Sequence, residues 1–132
     1  MIESTEQAIS ILQNTKLGEL EREDAIHYLQ QNPSAEGNQA LVAGLDDDDY
    51  GVGWASGSAL AQLGEPAFPS LLKALSQPGN SIRLRRGARH VIHYNSSTKL
   101  RHQSEKLMKA LKGQGAASST EVEAHKLLSQ FK

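Results

Sequence analysis

The 132-residue sequence predicts an all-α chain of antiparallel helix pairs stacked into a short solenoid, and three observations carry that prediction. First, one apolar phrase occurs as Leu41-Val42-Ala43-Gly44-Leu45, Leu71-Leu72-Lys73-Ala74-Leu75 and Leu107-Met108-Lys109-Ala110-Leu111, with starts 30 and 36 residues apart. A period of this length marks a supersecondary unit that buries its apolar face only by stacking on its neighbours. Second, apolar residues within each unit recur at the spacing of one helix face. Third, only 5% of residues are aromatic, while Ala, Leu, Gly, Ser and Gln abound, a mix suited to closely packed helices rather than sheets.

The elements follow in chain order within a single domain, 1–132. Around Thr5–Asn14, the residues Ala8, Ile9, Ile11 and Leu12 make one apolar face, and residues 1–18 read as an N-terminal capping helix. Glu23–Gln31 and the stretch closing at Leu41–Leu45, joined by Asn32-Pro33-Ser34, form a first repeat within 19–46. Tyr50–Leu63 and the stretch closing at Leu71–Leu75 form the second, within 47–77. Its inner turn is Gly64-Glu65-Pro66, and Pro66 suits a first helical position, where its missing N–H costs nothing. Ile82–Tyr94 and Thr98–Lys112, joined by Asn95-Ser96-Ser97, form the third, within 78–113. Residues 114–132 read as a flexible Gly- and Ser-rich link, running to Ser119, and a C-terminal helix around Thr120–Phe131.

Side-chain placement at about 100° per residue supports these assignments. In Ile82–Tyr94, Leu84, Gly87, Ala88, Val91 and Ile92 share one face, opposite Arg83, Arg86, Arg89, His90 and His93. In Thr98–Lys112, Leu100, Ser104, Leu107 and Leu111 face in, whereas Arg101, Lys106 and Lys109 face out. Leu60, Leu71, Leu75, Val91, Leu107 and Leu111 are the expected core. Tyr50–Leu63 carries Gly53, Ser56 and Gly57 beside Val52, Ala59, Leu60 and Leu63. Each helical glycine costs about 1 kcal/mol relative to Ala, so close approach of a neighbour is expected there.

The stretch Leu45-Asp46-Asp47-Asp48-Asp49-Tyr50-Gly51-Val52-Gly53-Trp54-Ala55-Ser56-Gly57-Ser58-Ala59-Leu60-Ala61-Gln62-Leu63-Gly64-Glu65-Pro66-Ala67 resembles a HEAT repeat, of the subclass first described in bilin lyases. The family pattern has an acidic turn, a Val-Arg pair opening the first helix, then small residues, Ala-Leu, a Leu-Gly ending, a Pro-containing turn and a Leu-Leu-x-x-Leu second helix. Tyr50 to Leu75 follows most of it, with Gly53 in the place of the usual arginine. The third repeat has Ile82-Arg83, preceded by Asn80-Ser81 instead of an acid. The resemblance covers about residues 20–112 and implies a right-handed α-α superhelix. For function it implies only a range, from adaptors through lyase subunits to nucleic-acid enzymes.

Charge is divided along the chain although the net is −1. Residues 1–64 hold eleven acids against Lys16 and Arg22, a balance of −9; residues 80–113 hold nine cations against Glu105, a balance of +8. Such one-sidedness exceeds what solubility asks of a helix pair and points to an electrostatic partner. The residues expected to meet it are Arg83, Arg86, Arg89, His90, Arg101, Lys106 and Lys109. Trp54, the sole tryptophan, is expected to pack partly against the next repeat while offering an anchor to a partner.

Several chemistries find no support. With no cysteine, disulfides, thiol catalysis and zinc fingers are excluded, and no motif calls for a cofactor. Asp46, Asp48 and Gly51 fall at EF-hand positions, but Tyr50 and Gly57 stand where further ligands are needed, so the acids read as a helix cap. His90 and His93, three apart, with His102 beyond, are crowded by arginines that disfavour a metal ion. Neither a nucleophile elbow nor a phosphate loop nor an HExxH helix is present, so no catalytic residues are assigned and an enzyme is not expected. The first residues lack a basic and apolar leader, and no apolar run approaches the roughly 20 residues of a membrane span. A cytoplasmic protein-binding adaptor or regulatory subunit is the expectation, its partner an acidic protein surface. Nucleic-acid binding through the third repeat is the alternative, disfavoured by the acidic first half. An accessory role in a bilin lyase rests on the family resemblance alone.

Overall fold

The computed structural model describes residues 1–113 and 115–131, and among these every regular element is helical. The α-helices are α1 (Thr5–Gln13), α2 (Glu19–Gln31), α3 (Ala35–Gly44), α4 (Tyr50–Leu63), α5 (Phe68–Leu75), α6 (Ile82–His93), α7 (Thr98–Gln103), α8 (Glu105–Lys112) and α9 (Ala116–Leu128). Short 3₁₀ turns precede α5 and follow α9. Most helix starts use one device, a side-chain oxygen accepting an otherwise orphaned N–H. Ser4 caps α1, Ser34 α3, Asp49 α4, Ser81 α6 and Ser97 α7.

Two series of neighbours build the body: α2, α4 and α6 pack in succession, as do α1, α3, α5 and α9. Between them lies a continuous core in which Leu60, Leu71, Leu75, Val91, Leu107 and Leu111 are all buried, as their helical phase predicts. Phe68 and Leu72 join them, and the Phe68 ring lies 5.5 Å from that of Phe131.

Three elements differ from the sequence reading. Helix α2 begins at Glu19, a turn before Glu23, because Gly18 serves as its N-cap with no side-chain bond to mark it. The Thr98–Lys112 helix is broken at Ser104, whose angles (φ −96°, ψ 9°) end α7 and let α8 lie against both α6 and α9. Position 114 of the expected link lies outside the described residues. After it, Gly115 takes a left-handed conformation (φ 66°), and Ala116 to Ser119 form the first turn of α9. That helix docks: it packs on α5 and α8, and Asn80 Nδ2 donates to the Ala117 carbonyl at 3.0 Å. The place beside α5 is thus taken by α9.

Buried charge ties the first helices together. The Arg22 side chain, 3% exposed, donates from Nε to the Leu12 carbonyl at 2.9 Å and forks onto both carboxylate oxygens of Asp47. Burial alone would push the Asp47 carboxyl up, but the Arg22 hydrogen bonds, the Asp49 N–H and the nearby guanidinium charges together hold it below its ordinary value. Asp47→Ala should therefore cost about 3–5 kcal/mol, since Arg22 would stay buried with a single carbonyl partner. A carboxyl with a lowered folded pKa stabilises the fold above its unfolded value, near 3.8, and loses that contribution as pH falls through the folded value. Urea titrations should show the difference between parent and variant narrowing as pH falls below about 4. By contrast, Leu71→Ala, which leaves a cavity in the core, should cost about 2–5 kcal/mol at any pH at which the chain folds.

Candidate partner-binding groove

Helices α4 and α6 flank a groove of about 340 Å³, lined also by residues of the turn 45–49. Leu45, Gly53 and Gly87 line it together with Tyr50, Trp54, Arg83, Arg86, His90 and the carboxylates of Asp47 and Asp48. Its shape follows from two close approaches. A Cβ at Gly57 would sit 2.7 Å from His90 Cδ2, and one at Gly87 would sit 2.9 Å from Leu45 Cβ. Only residues without side chains let α6 and Leu45 come this near, which is the compensation expected for helical glycine.

His90 shares the groove with Arg83 and Arg86 but is partly buried, unlike those exposed arginines. Beside Gly57, the ring turns toward α4, 4.2 Å from the Trp54 ring centroid and 5.0 Å from that of Tyr94. Its Nε2 lies 3.3 Å from Ser58 Oγ. Burial, and then the neighbouring His93, hold its pKa below 6.5, so at neutral pH the ring is an uncharged aromatic surface and hydrogen-bonding partner. Trp54 leans on it at an interplanar angle of 46° and stays half-exposed, with Tyr50 one turn away at 6.5 Å.

Charge in the groove is partly neutralised from the N-terminal half. Arg83 pairs with Asp48, and Ser81 Oγ donates to Asp46 at 2.7 Å. The Asp48 pair is exposed on both sides and contributes little. Asp49 accepts from the Gly51 and Val52 N–H groups at 2.9 and 3.2 Å, so that of the acidic run expected to cap this helix Asp49 alone does so, while Asp46, Asp47 and Asp48 are held by Ser81, Arg22 and Arg83. Arg86 is exposed and has no ion-pair partner among the described residues. The groove thus sets an aromatic wall of Trp54, Tyr50 and neutral His90 against one free guanidinium.

Of the residues read from the sequence, Trp54, Arg83, Arg86 and His90 converge here. Arg89 lines an adjacent depression with Arg85, Arg86 and Lys112. Arg101, Lys106 and Lys109 are exposed but line neither, and Arg101 donates to the Asn95 carbonyl and Thr98 Oγ1, bracing the turn before α7. Sequence reasoning missed Tyr50, Asp48, Leu45 and the Ser58–His90 contact. Tyr50 and Trp54 are four apart on a helix and share a face, so that pair was open to detection; the rest are long-range. No protein-family model matches this chain, nor does any curated protein or solved structure.

Gly57→Leu should destabilise the fold by about 1–3 kcal/mol, because the added side chain meets His90 and Leu45. It should also lift His90 from Trp54, red-shifting the emission of the sole tryptophan. A variant as stable as the parent, with unchanged fluorescence, would contradict the packing of α4 on α6.

Proposed function

We propose that this chain is a non-catalytic protein-binding module, an adaptor or regulatory subunit built as a short HEAT-like superhelix that holds an acidic protein surface. The carrying observation is the pairing, in one groove, of a half-exposed Trp54 with the Arg86 guanidinium, which is exposed and has no ion-pair partner among the described residues. Tryptophan and arginine are the residue types that dominate interface energetics when an anchor is seated and desolvated. A partner carboxylate on Arg86, with an apolar or aromatic neighbour on Trp54, satisfies both. The exposed cations Arg89, Lys106 and Lys109 add attraction without a fixed geometry, which raises association rate more than affinity. The mixed charge of the groove supports protein over nucleic acid, since Asp48 and its neighbours would face a phosphate backbone.

Fluorescence anisotropy with a labelled Glu- and Tyr-rich peptide tests this reading. Arg86→Glu with Arg89→Glu should weaken binding roughly tenfold or more while leaving the melting temperature nearly unchanged, and Trp54→Ala should weaken it independently of salt. Duplex DNA serves as the contrast. Tighter binding to DNA, with a log–log salt slope near −0.9 per phosphate, would replace the protein reading by nucleic-acid binding. Peptide affinity indifferent to both salt and charge reversal would remove the basic face from the site.

A further inference from the structure

The turn 45–49 joins the starts of three helices into one edge. Arg22 near the start of α2 holds Asp47, the Glu19 side chain lies against Gly51 at the start of α4, and Ser81 and Arg83 at the start of α6 hold Asp46 and Asp48. Four of the large apolar side chains left exposed lie within the first five residues of these helices. Leu20 is 79% and Tyr50 80% exposed, and Trp54 and Ile82 are each about half exposed. Of these, Tyr50 and Trp54 are neighbours, their ring centroids 6.5 Å apart, and Trp54 also meets His90 of α6.

The charges along the edge run in one order. At the α2 end stand Glu19 and Glu23, beside Asp49, with no cation paired to Glu19 among the described residues. Asp49 first, then burial and Glu23, raise the Glu19 carboxyl above 4.5, the mark of uncompensated negative charge. At the α6 end stand Arg86 and Arg89, likewise without anionic partners. Between the ends lie Tyr50 and Trp54 on the central helix.

We infer that this edge docks on the same edge of a second copy, antiparallel about a two-fold axis near Trp54. The arrangement lays the α2 end of each copy on the α6 end of the other. Glu19 then meets the partner copy's Arg86 twice over, while the two tryptophans cover one another's half-exposed faces. Such a contact is isologous and closes at the dimer, whereas a parallel arrangement would oppose like charges. Three adjacent helices, each about 10 Å across with side chains, present an edge roughly 30 Å long, the scale of a face burying about 800 Å² per partner. The inference rests on the reading of Arg86 and Trp54 as partner-binding groups and names the acidic protein surface they meet.

Sedimentation of the full chain, with Trp54 emission followed against protein concentration, tests it. The parent should dimerise at about 50 mM salt, with a blue shift on association, and dissociate toward about 0.5 M. Glu19→Lys and Arg86→Glu should each weaken the dimer roughly tenfold or more, since each places like charges in both symmetric contacts. Mixing the two variants should restore association, because each contact then regains opposite charges. A chain that stays monomeric in low salt, or a mixture that fails to restore the dimer although both variants keep the parent's circular dichroism, would overturn the inference. If that monomer still binds the Glu- and Tyr-rich peptide through Arg86, the protein-binding reading survives. If dimer and peptide binding are both absent, the two fall together.

Discussion

The Arg22–Asp47 pair is the constraint on which the rest of the arrangement depends. A guanidinium 3% exposed is tolerable only when its donors are satisfied, and here one goes to the end of α1 and two to the turn before α4. Three consequences follow from fixing that turn. Asp49 is placed to cap α4, Asp46 and Asp48 to receive Ser81 and Arg83, and Leu45 to fill the space beside Gly57 and Gly87. A loosened turn would therefore alter the helix cap, the approach of α6 and the groove together.

Local features of the fold were open to reading because the signals were local. The apolar phrases, the Ser and Asp caps and the Pro and Gly turns act within a few residues, and they place α4 and α6 almost to the residue. The missed features depend on partners distant in sequence. Glu19 to Arg22 look like a polar lead-in, and only the presence of Asp47 explains why Arg22 is buried in a helix. Ser104 looks like a small core residue within a continuous helix, yet α8 must bend there to reach both α6 and α9. The third apolar phrase lies on α8, which packs on α6 and α9, and it is α9, whose own pattern is weaker, that packs on α5.

The site was half legible for the same reason. Arg86 and Trp54 stand out by residue type and helical phase, and the groove brings them together. His90 lines the groove with Arg83 and Arg86, as its helical phase places it, but phase alone does not show how deep a side chain sits, and that depends on where a neighbour leaves room. Gly57 leaves that room, and the imidazole, costly to bury as a cation, enters it as a neutral ring against Trp54. The sequence signal for this was the glycine on α4, not anything in α6.

Charge segregation along a chain need not survive folding as segregation on the surface. The strongest acidic run, Asp46 to Asp49, folds directly against the first turn of α6 and spends itself on Arg22, Ser81, Arg83 and a helix start. What remains unbalanced is smaller and more informative than the totals of −9 and +8: carboxylates around Glu19 at one end of an edge, and Arg86 and Arg89 at the other. Internal pairing removed the charges nearest the middle of that edge and left the extremes, with exposed aromatic rings between them. A face that is apolar at its centre and opposite in sign at its ends is complementary to its own two-fold image.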